Sequence, residues 1–339
     1  MKAAIWNDVA SLDIIDVSKP DPRPGWVRLR VAACGVCGSD LHGFGRPEMA
    51  WSGMQPGHEI SGYVDAVGEG VVHDHAGLMA VEPMHSCGHC ASCDGGHHNL
   101  CADVELVGFG LPGGLAEFVE VPAHRLHALP ENMALPVATL AEPLAVCVRA
   151  IRLSGLSFGQ HVAVIGAGTI GLLTVAAARA GGASSVHVVA RHPRQSELAL
   201  VMGADATYAT TEALLDAIGE RFCDVVIETV GGWATTLIDA VSIAAPGATI
   251  VNVGCFEGNT PLPGPMFFAK ELVLRASNCY AFDQGKSDFA LAAGLLADLD
   301  TALAPLITHQ FSLDDVVPAF ETAGDKSSGS IKVQIQLDQ

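Results

Sequence analysis

The chain has 339 residues and carries 37 acidic against 18 basic side chains, a formal net charge of −19. That excess of negative charge argues against nucleic acid or an anionic membrane as a partner. Half of the residues are hydrophobic and 16% are charged, which describes a globular chain long enough to bury the cores of two domains.

The N-terminus, Met1-Lys-Ala-Ala-Ile-Trp-Asn-Asp, lacks the apolar run of a signal peptide and is expected to be a first β-strand. Pro20, Pro22, Pro24 and Gly25 break the chain before the alternating segment Val27-Arg-Leu-Arg-Val-Ala. Further strands are predicted over 60–67, 79–81 and 115–121, so roughly the first 120 residues are β-rich. From about Val146 the pattern changes. Val162-Ala-Val-Ile is apolar throughout, as a strand covered on both faces is. A helix is predicted over 170–180, a strand over 186–190 and a helix over 195–202. Strands at 224–228, 249–253 and 272–275 continue the series. Such alternation specifies a parallel, doubly wound α/β sheet. The tail from about Asp283 carries helices at 289–299 and 316–322 and a last strand at 331–337. The most apolar window, 162–183, contains five glycines and Arg179 and is a poor membrane span.

Ten cysteines could suggest a disulfide scaffold, but that reading suits short secreted chains. Four of them are spaced as metal ligands, which points to a reducing, cytoplasmic setting. Cys87-Gly-His-Cys90-Ala-Ser-Cys93 is followed by Cys101. Cys-x2-Cys spacing points two thiolates of one turn at one ion, and four thiolates complete the tetrahedral shell of a structural zinc. An iron–sulfur cluster is the second reading, but the short bacterial run closes with three residues and Cys-Pro. Seven residues and then Cys101-Ala102 stand here. Unmetallated or disulfide-bonded thiols are the third reading.

Gly166-Ala-Gly168-Thr169-Ile170-Gly171 follows a predicted strand and opens a predicted helix. The first glycine makes the turn, the second lets a pyrophosphate approach the backbone, and the third lets helix and strand pack closely. The helix N-terminus then presents its positive end to the phosphates. An NAD site usually carries an acid at the end of the second strand, about 20 residues on, for the ribose 2′-hydroxyl. That position reads Val189-Ala-Arg191-His-Pro-Arg194, and two arginines suit a 2′-phosphate. NADP is therefore favoured over NAD, the alternative being solvated arginines and an NAD enzyme.

A second metal constellation is dispersed. Cys34-Gly-Val-Cys37-Gly-Ser39-Asp40-Leu-His42, Gly57-His58-Glu59 and Leu140-Ala-Glu142-Pro-Leu together offer the Cys, His and carboxylate of a catalytic zinc, which needs three protein ligands and an open position. Taken singly, Cys34 and Cys37 could be a redox pair and His58 a core histidine.

These motifs, with Pro305-Leu-Ile-Thr-His309, stand in one order along the chain. In that order the chain resembles the zinc-dependent medium-chain dehydrogenases, the alcohol, sorbitol/polyol and threonine dehydrogenases. The resemblance implies a GroES-like catalytic domain from 1–146 and 283–339, with the zinc lobe at about 85–103. A Rossmann domain from 147–282 is inserted, with the active site in the cleft between the two. It implies two zincs per chain, one structural and one catalytic. Cys37 and His58 look like catalytic zinc ligands, Glu59 and Glu142 like carboxylates that bind the zinc or rest behind it. Asp40 looks like the support of His58, and Ser39 with His42 like a proton relay from the substrate to water. Cys34 is a bystander on this comparison. Val253 and Gly254 are expected against the nicotinamide, and Lys332 near the cofactor pyrophosphate, its plain alternative being a solvated strand charge.

The activity implied is hydride transfer between a secondary alcohol or polyol and NAD(P), with a zinc polarising the substrate oxygen. An NADPH-dependent carbonyl reductase on the same site is the alternative, and a non-catalytic dinucleotide-binding protein a remote one. The expected partners are a small alcohol or carbonyl substrate and further copies of the chain in a homotetramer or dimer, with no nucleic acid and no membrane. Two departures stand out. The Arg-Tyr pair of sorbitol-type enzymes reads Cys279-Tyr280 here, and the family's Gly-Asp-Arg-Val turn reads Gly77-Leu-Met-Ala. Phe44, Trp51, Phe109 and Phe118 are expected to line the substrate cleft, the alternative for each being a core position.

Overall fold

The computed structural model describes residues 1–46, 51–72, 76–219, 222–283 and 285–337. The chain separates into two compact units, 1–142 with 281–339, and 143–280.

The first unit is built on a mostly antiparallel sheet. Its central strand, Trp26–Gly35, buries Val27, Leu29 and Val31 on one face, as the alternation requires. It pairs with Glu59–Val67 on one side and with Phe118–Pro122 and the C-terminal strand Lys332–Gln336 on the other. The last strand runs parallel to Ile307–Ser312. The two ends of the chain thus share one sheet, over a core that includes Leu29, Ile60, Leu115 and Phe320. The strand expected from Leu115 begins only at Phe118. Leu115 and Ala116 are instead buried under the N-terminal strand, where Ala3 bridges to Ala116.

The second unit is a parallel sheet in the order Ala206–Tyr208, Ser185–Val189, His161–Ile165, Cys223–Glu228, Ala244–Asn252, Val273–Ala276. This is the doubly wound order of dinucleotide-binding folds. Helices Thr169–Ala180 and Pro193–Val201 fall where the periodicity puts them. Helices Ala141–Ser154, Thr211–Ile218 and Thr236–Ile243 were not expected. The first of them carries Pro143 in its opening turn, where a missing N–H costs nothing. The second is announced by Thr210, whose side chain accepts from the Ala213 N–H at 3.2 Å.

Helix Asp288–Leu303 continues as a tight turn to Leu306, and this stretch is long and apolar enough to match a membrane span by length and composition. It buries Asp288, Phe289, Ala292, Ala293, Leu296 and Leu303, and it also carries Asp298 and Asp300. A buried apolar face with acids along the helix suits an amphipathic helix of a folded domain.

Acid sensitivity is built into both units. Burial pushes the imidazole of His187 below its ordinary range, and does the same to His85 and His98. Each is neutral when folded and takes up its proton more readily when unfolded. Their contribution is therefore present above the unfolded pKa of about 6.5 and is lost as pH falls through and below it. The unfolding midpoint should fall by several degrees between pH 7.5 and 5.5, and His187→Gln should reduce that slope. A midpoint flat over this interval would exclude the account.

Candidate functional site

Four thiols gather in the lobe between Met84–His85 and Glu105–Val107. Cys90 and Cys93 lie 3.6 Å apart, Cys87 and Cys101 3.5 Å, Cys87 and Cys93 3.9 Å, and Cys90 and Cys101 3.9 Å. All four are free thiols. A Zn–S bond of about 2.3 Å implies S···S edges of about 3.8 Å, so the group is already the size of a zinc tetrahedron and much too wide for disulfides. The Cys93 backbone N–H, then the neighbouring thiols, bring Cys90 down to about 7, within reach of the thiolate that a metal requires.

The second group is Cys37, His58 and Glu59, whose ligand atoms lie within 4.8 Å of one another. Cys37 caps the short helix Gly38–Gly43, and its N–H donates to Asp40 Oδ2 at 2.9 Å. His58 and Glu59 sit at the start of the strand Glu59–Val67, after Gly57. Gly57 holds φ +99°, a backbone state that favours glycine. Gly35, on the facing strand, has no side chain because one would collide with the Glu59 carboxylate.

Asp40 Oδ1 stands 3.6 Å from His58 Nδ1, just beyond hydrogen-bond range. Both atoms are buried without a partner among the described residues. Burial opposes a charge on His58, but Asp40, Cys37 and Glu142 outweigh it and raise the imidazole well above its ordinary value. A pocket of donors that pulls a proton onto its histidine is one with negative charge to spare, and a divalent cation satisfies it better. Glu142 is buried and acts on both His58 and Lys332, although it lies outside the Cys37–His58–Glu59 group. Ser39 and His42 lie one turn apart on the short helix, both half-buried.

Lys332 departs from its expectation. It is buried, and its ammonium donates to both Glu59 oxygens at 2.7 Å and to the Val36 carbonyl at 3.1 Å. An ammonium has three donors, and these contacts use all three, leaving none for a pyrophosphate. Nor is it a solvated charge. Its place is behind Glu59.

Cys34 is buried in the core and far less acidic than an ordinary thiol because of that burial, which suits a bystander. Of the four aromatics, Phe109 packs against the His58 ring at 5.3 Å between centroids, and Trp51 packs edge-on against Phe109 at 5.3 Å. Phe44 instead packs on Trp6 and Phe320 in the core. Phe118 is half-buried in the strand Phe118–Pro122, with the Lys19 ammonium 3.6 Å above its ring. Tyr280 is buried.

In the second unit, Gly166 turns the chain at φ +96°. A side chain at Gly171 would strike the Gly166 carbonyl, which accounts for the third glycine. Gly168 faces open space and is the N-cap of helix Thr169–Ala180, with no side chain capping it. A helix N-terminus that no side chain caps and an unfilled cradle at Gly168 together fit a pyrophosphate, with Thr169 and Ile170 in the first turn. Arg191 and Arg194 are both exposed beyond the strand Ser185–Val189, and Arg194 also reaches Glu197 at 3.5 Å. Val253 and Gly254 follow the strand Ala244–Asn252. Missed from sequence was Glu228, fully buried at the end of Cys223–Glu228.

The model of the alcohol dehydrogenase GroES-like domain matches residues 23–131, and that of zinc-binding dehydrogenases matches 169–298. Galactitol 1-phosphate 5-dehydrogenase of Escherichia coli (strain K12) is 33% identical, covering 86% of this chain and 87% of that protein. Sorbitol dehydrogenase of Bacillus subtilis (strain 168) is 31% identical, covering 99% and 97%. Among solved structures, a zinc-binding dehydrogenase from Sinorhizobium meliloti 1021 bound to NADP superposes with a TM-score of 0.88 at 30% identity, covering 99% of this chain and 98% of that one.

Proposed function

The chain belongs to the zinc-dependent medium-chain dehydrogenases, and we propose that it interconverts a secondary alcohol or polyol and its ketone or aldehyde with a nicotinamide cofactor. The observation that carries this is the Cys37–His58–Glu59 group, whose ligand atoms lie within 4.8 Å of one another. A zinc held by Cys37, His58 and a carboxylate, Glu59 or Glu142, would polarise the substrate oxygen, and a nicotinamide would accept the hydride. Asp40 stands behind the ring of His58 at 3.6 Å and favours its charged form, and Lys332 holds the Glu59 carboxylate in place. Ser39 and His42 pass the hydroxyl proton outward along the short helix. Trp51 and Phe109 give the substrate an apolar wall beside His58 and exclude water there.

Metal analysis of the purified chain, together with oxidation of a panel of alcohols and polyols, tests the reading. About two zincs per chain with NAD(P)-linked turnover support it. One zinc and no turnover would leave only the cysteine lobe standing.

The two exposed arginines support NADP over NAD, since no acid stands in their place at the end of the strand Ser185–Val189. Arg191→Asp is expected to raise KM for NADP+ at least about tenfold and to lower that for NAD+, the differential a single charged contact can supply. Unchanged KM values for both would show the arginines to be bystanders.

We also propose a cytoplasmic homo-oligomer. The strand Val273–Ala276 ends its sheet and is exposed along its length, and Leu262, Met266 and Phe268, shortly before it in the chain, are exposed as well. A bare apolar edge asks for a partner strand. Leu274→Lys is expected to shift the chain toward monomer in light scattering behind gel filtration. A parent chain that is already monomeric would sink the proposal.

A further inference from the structure

We infer that Glu228 is the positioning residue of the dinucleotide site and that its charge tilts the site toward the oxidised cofactor. The inference rests on the nicotinamide reading above. Glu228 ends the strand Cys223–Glu228, which lies between His161–Ile165 and Ala244–Asn252. Its Oε1 accepts from the Val230 N–H at 2.7 Å, the Gly231 N–H at 3.1 Å and the Thr236 hydroxyl at 2.8 Å. Its backbone carbonyl accepts from the N–H groups of Val253 and Gly254 at 2.9 and 3.1 Å. The next residue, Thr229, donates from its N–H and its hydroxyl to the Ile165 carbonyl at 3.0 and 2.8 Å. One dipeptide therefore fastens the glycine turn, the loop after its own strand and the Val253–Gly254 loop. The two loops are joined again further out, where the Gly232 N–H donates to the Cys255 carbonyl at 2.7 Å.

A purely structural carboxylate would be expected to satisfy both oxygens. Here Oε2 is buried with no partner among the described residues, an arrangement that is costly in an ordinary core. It faces the Cα of Gly254, where an added Cβ would come within 2.5 Å of it. A glycine of the very loop expected to meet the nicotinamide thus lies directly against this buried carboxylate. The oxidised ring is positive and the reduced ring neutral, so a fixed negative charge behind that loop favours the oxidised form. The fastening sets where the loops stand, and the free oxygen sets which redox form they prefer.

The test is a pair of dissociation constants, for NAD(P)+ by calorimetry and NAD(P)H by fluorescence, on the full chain. Glu228→Gln keeps the size and an acceptor but removes the charge. It is expected to weaken the oxidised form about tenfold and the reduced form less than about threefold. Thr236→Val removes one donor, away from the loops, and keeps the charge. It is expected to weaken both forms together and leave their ratio unchanged. Equal loss of both forms in Glu228→Gln, or no loss, overturns the inference. If Glu228→Gln fails to fold, unaltered cofactor binding in Thr236→Val overturns it instead. A parent chain that binds neither form overturns the nicotinamide reading as well, which separates the two failures.

Discussion

Cys37→Ser is expected to remove one zinc of two and to lower kcat/KM by about a thousandfold or more. Serine keeps the shape but offers a hydroxyl that does not ionise near neutral pH, whereas zinc takes a thiolate. Lewis-acid polarisation of the substrate oxygen is worth several kcal/mol, and about 4 kcal/mol is a factor of about a thousand. The lobe should keep its own metal, because Cys87, Cys90, Cys93 and Cys101 form a separate group. Cys34→Ala is the control. Cys34 lies three residues away, near the end of the strand Trp26–Gly35, and is buried in the core with Val31, Ile60 and Leu115, so its loss should cost stability and leave zinc content and turnover in place. Elemental analysis and steady-state kinetics on the two variants decide the matter. A Cys37→Ser chain that keeps two zincs and its turnover would show that Cys37 is no ligand.

What could be read in advance depended on how far along the chain the interacting residues lie. The cysteine lobe and the glycine turn are local, so ligand spacing and strand–turn–helix order already specify them. The parallel sheet was legible for the same reason, since each strand is a short apolar run closed by turn residues. The alternation of Phe118-Val119-Glu120-Val121 in fact places Phe118 with Glu120 on the outer face. The expectation of a cleft residue overlooked that period. Helix Ala141–Ser154 hid behind Glu142-Pro143, which reads as a break although proline is tolerated in a first turn. The Glu59–Lys332 pair joins residues 273 positions apart. No local pattern distinguishes such a lysine from an exposed one, and only the pairing of the last strand against Trp26–Gly35 brings it home. Glu228 was read simply as the end of a strand, because nothing in its neighbours' identities reports that their N–H groups turn back toward it.

Lys332→Met is expected to destabilise the metal-free chain by about 3–5 kcal/mol, the cost of leaving one member of a buried pair without its partner. Both groups are almost fully buried, with side-chain exposures of 4% and 1%, so water cannot take over the carboxylate. At about 2–4 °C per kcal/mol for a domain of this size, the unfolding midpoint should fall by roughly 10 °C. Burial works against the ammonium, but Glu59, Cys37 and Glu142 together outweigh it and raise the Lys332 pKa above its ordinary value. A raised lysine contributes its stability below the unfolded pKa and loses it only as pH climbs through the folded one. The loss in the variant should therefore be the same from about pH 6 to pH 9. Zinc should restore part of it, because a cation beside Cys37 and His58 also faces Glu59. The double variant Lys332→Met/Glu59→Gln removes the stranded charge and should recover much of the stability while leaving turnover impaired. Calorimetry with chelator and with added zinc measures all of these. A single variant within about 1 kcal/mol of the parent, the level of an exposed pair, would mean that the ammonium does not hold Glu59. A double variant no better than the single would mean that the loss comes from packing and not from charge.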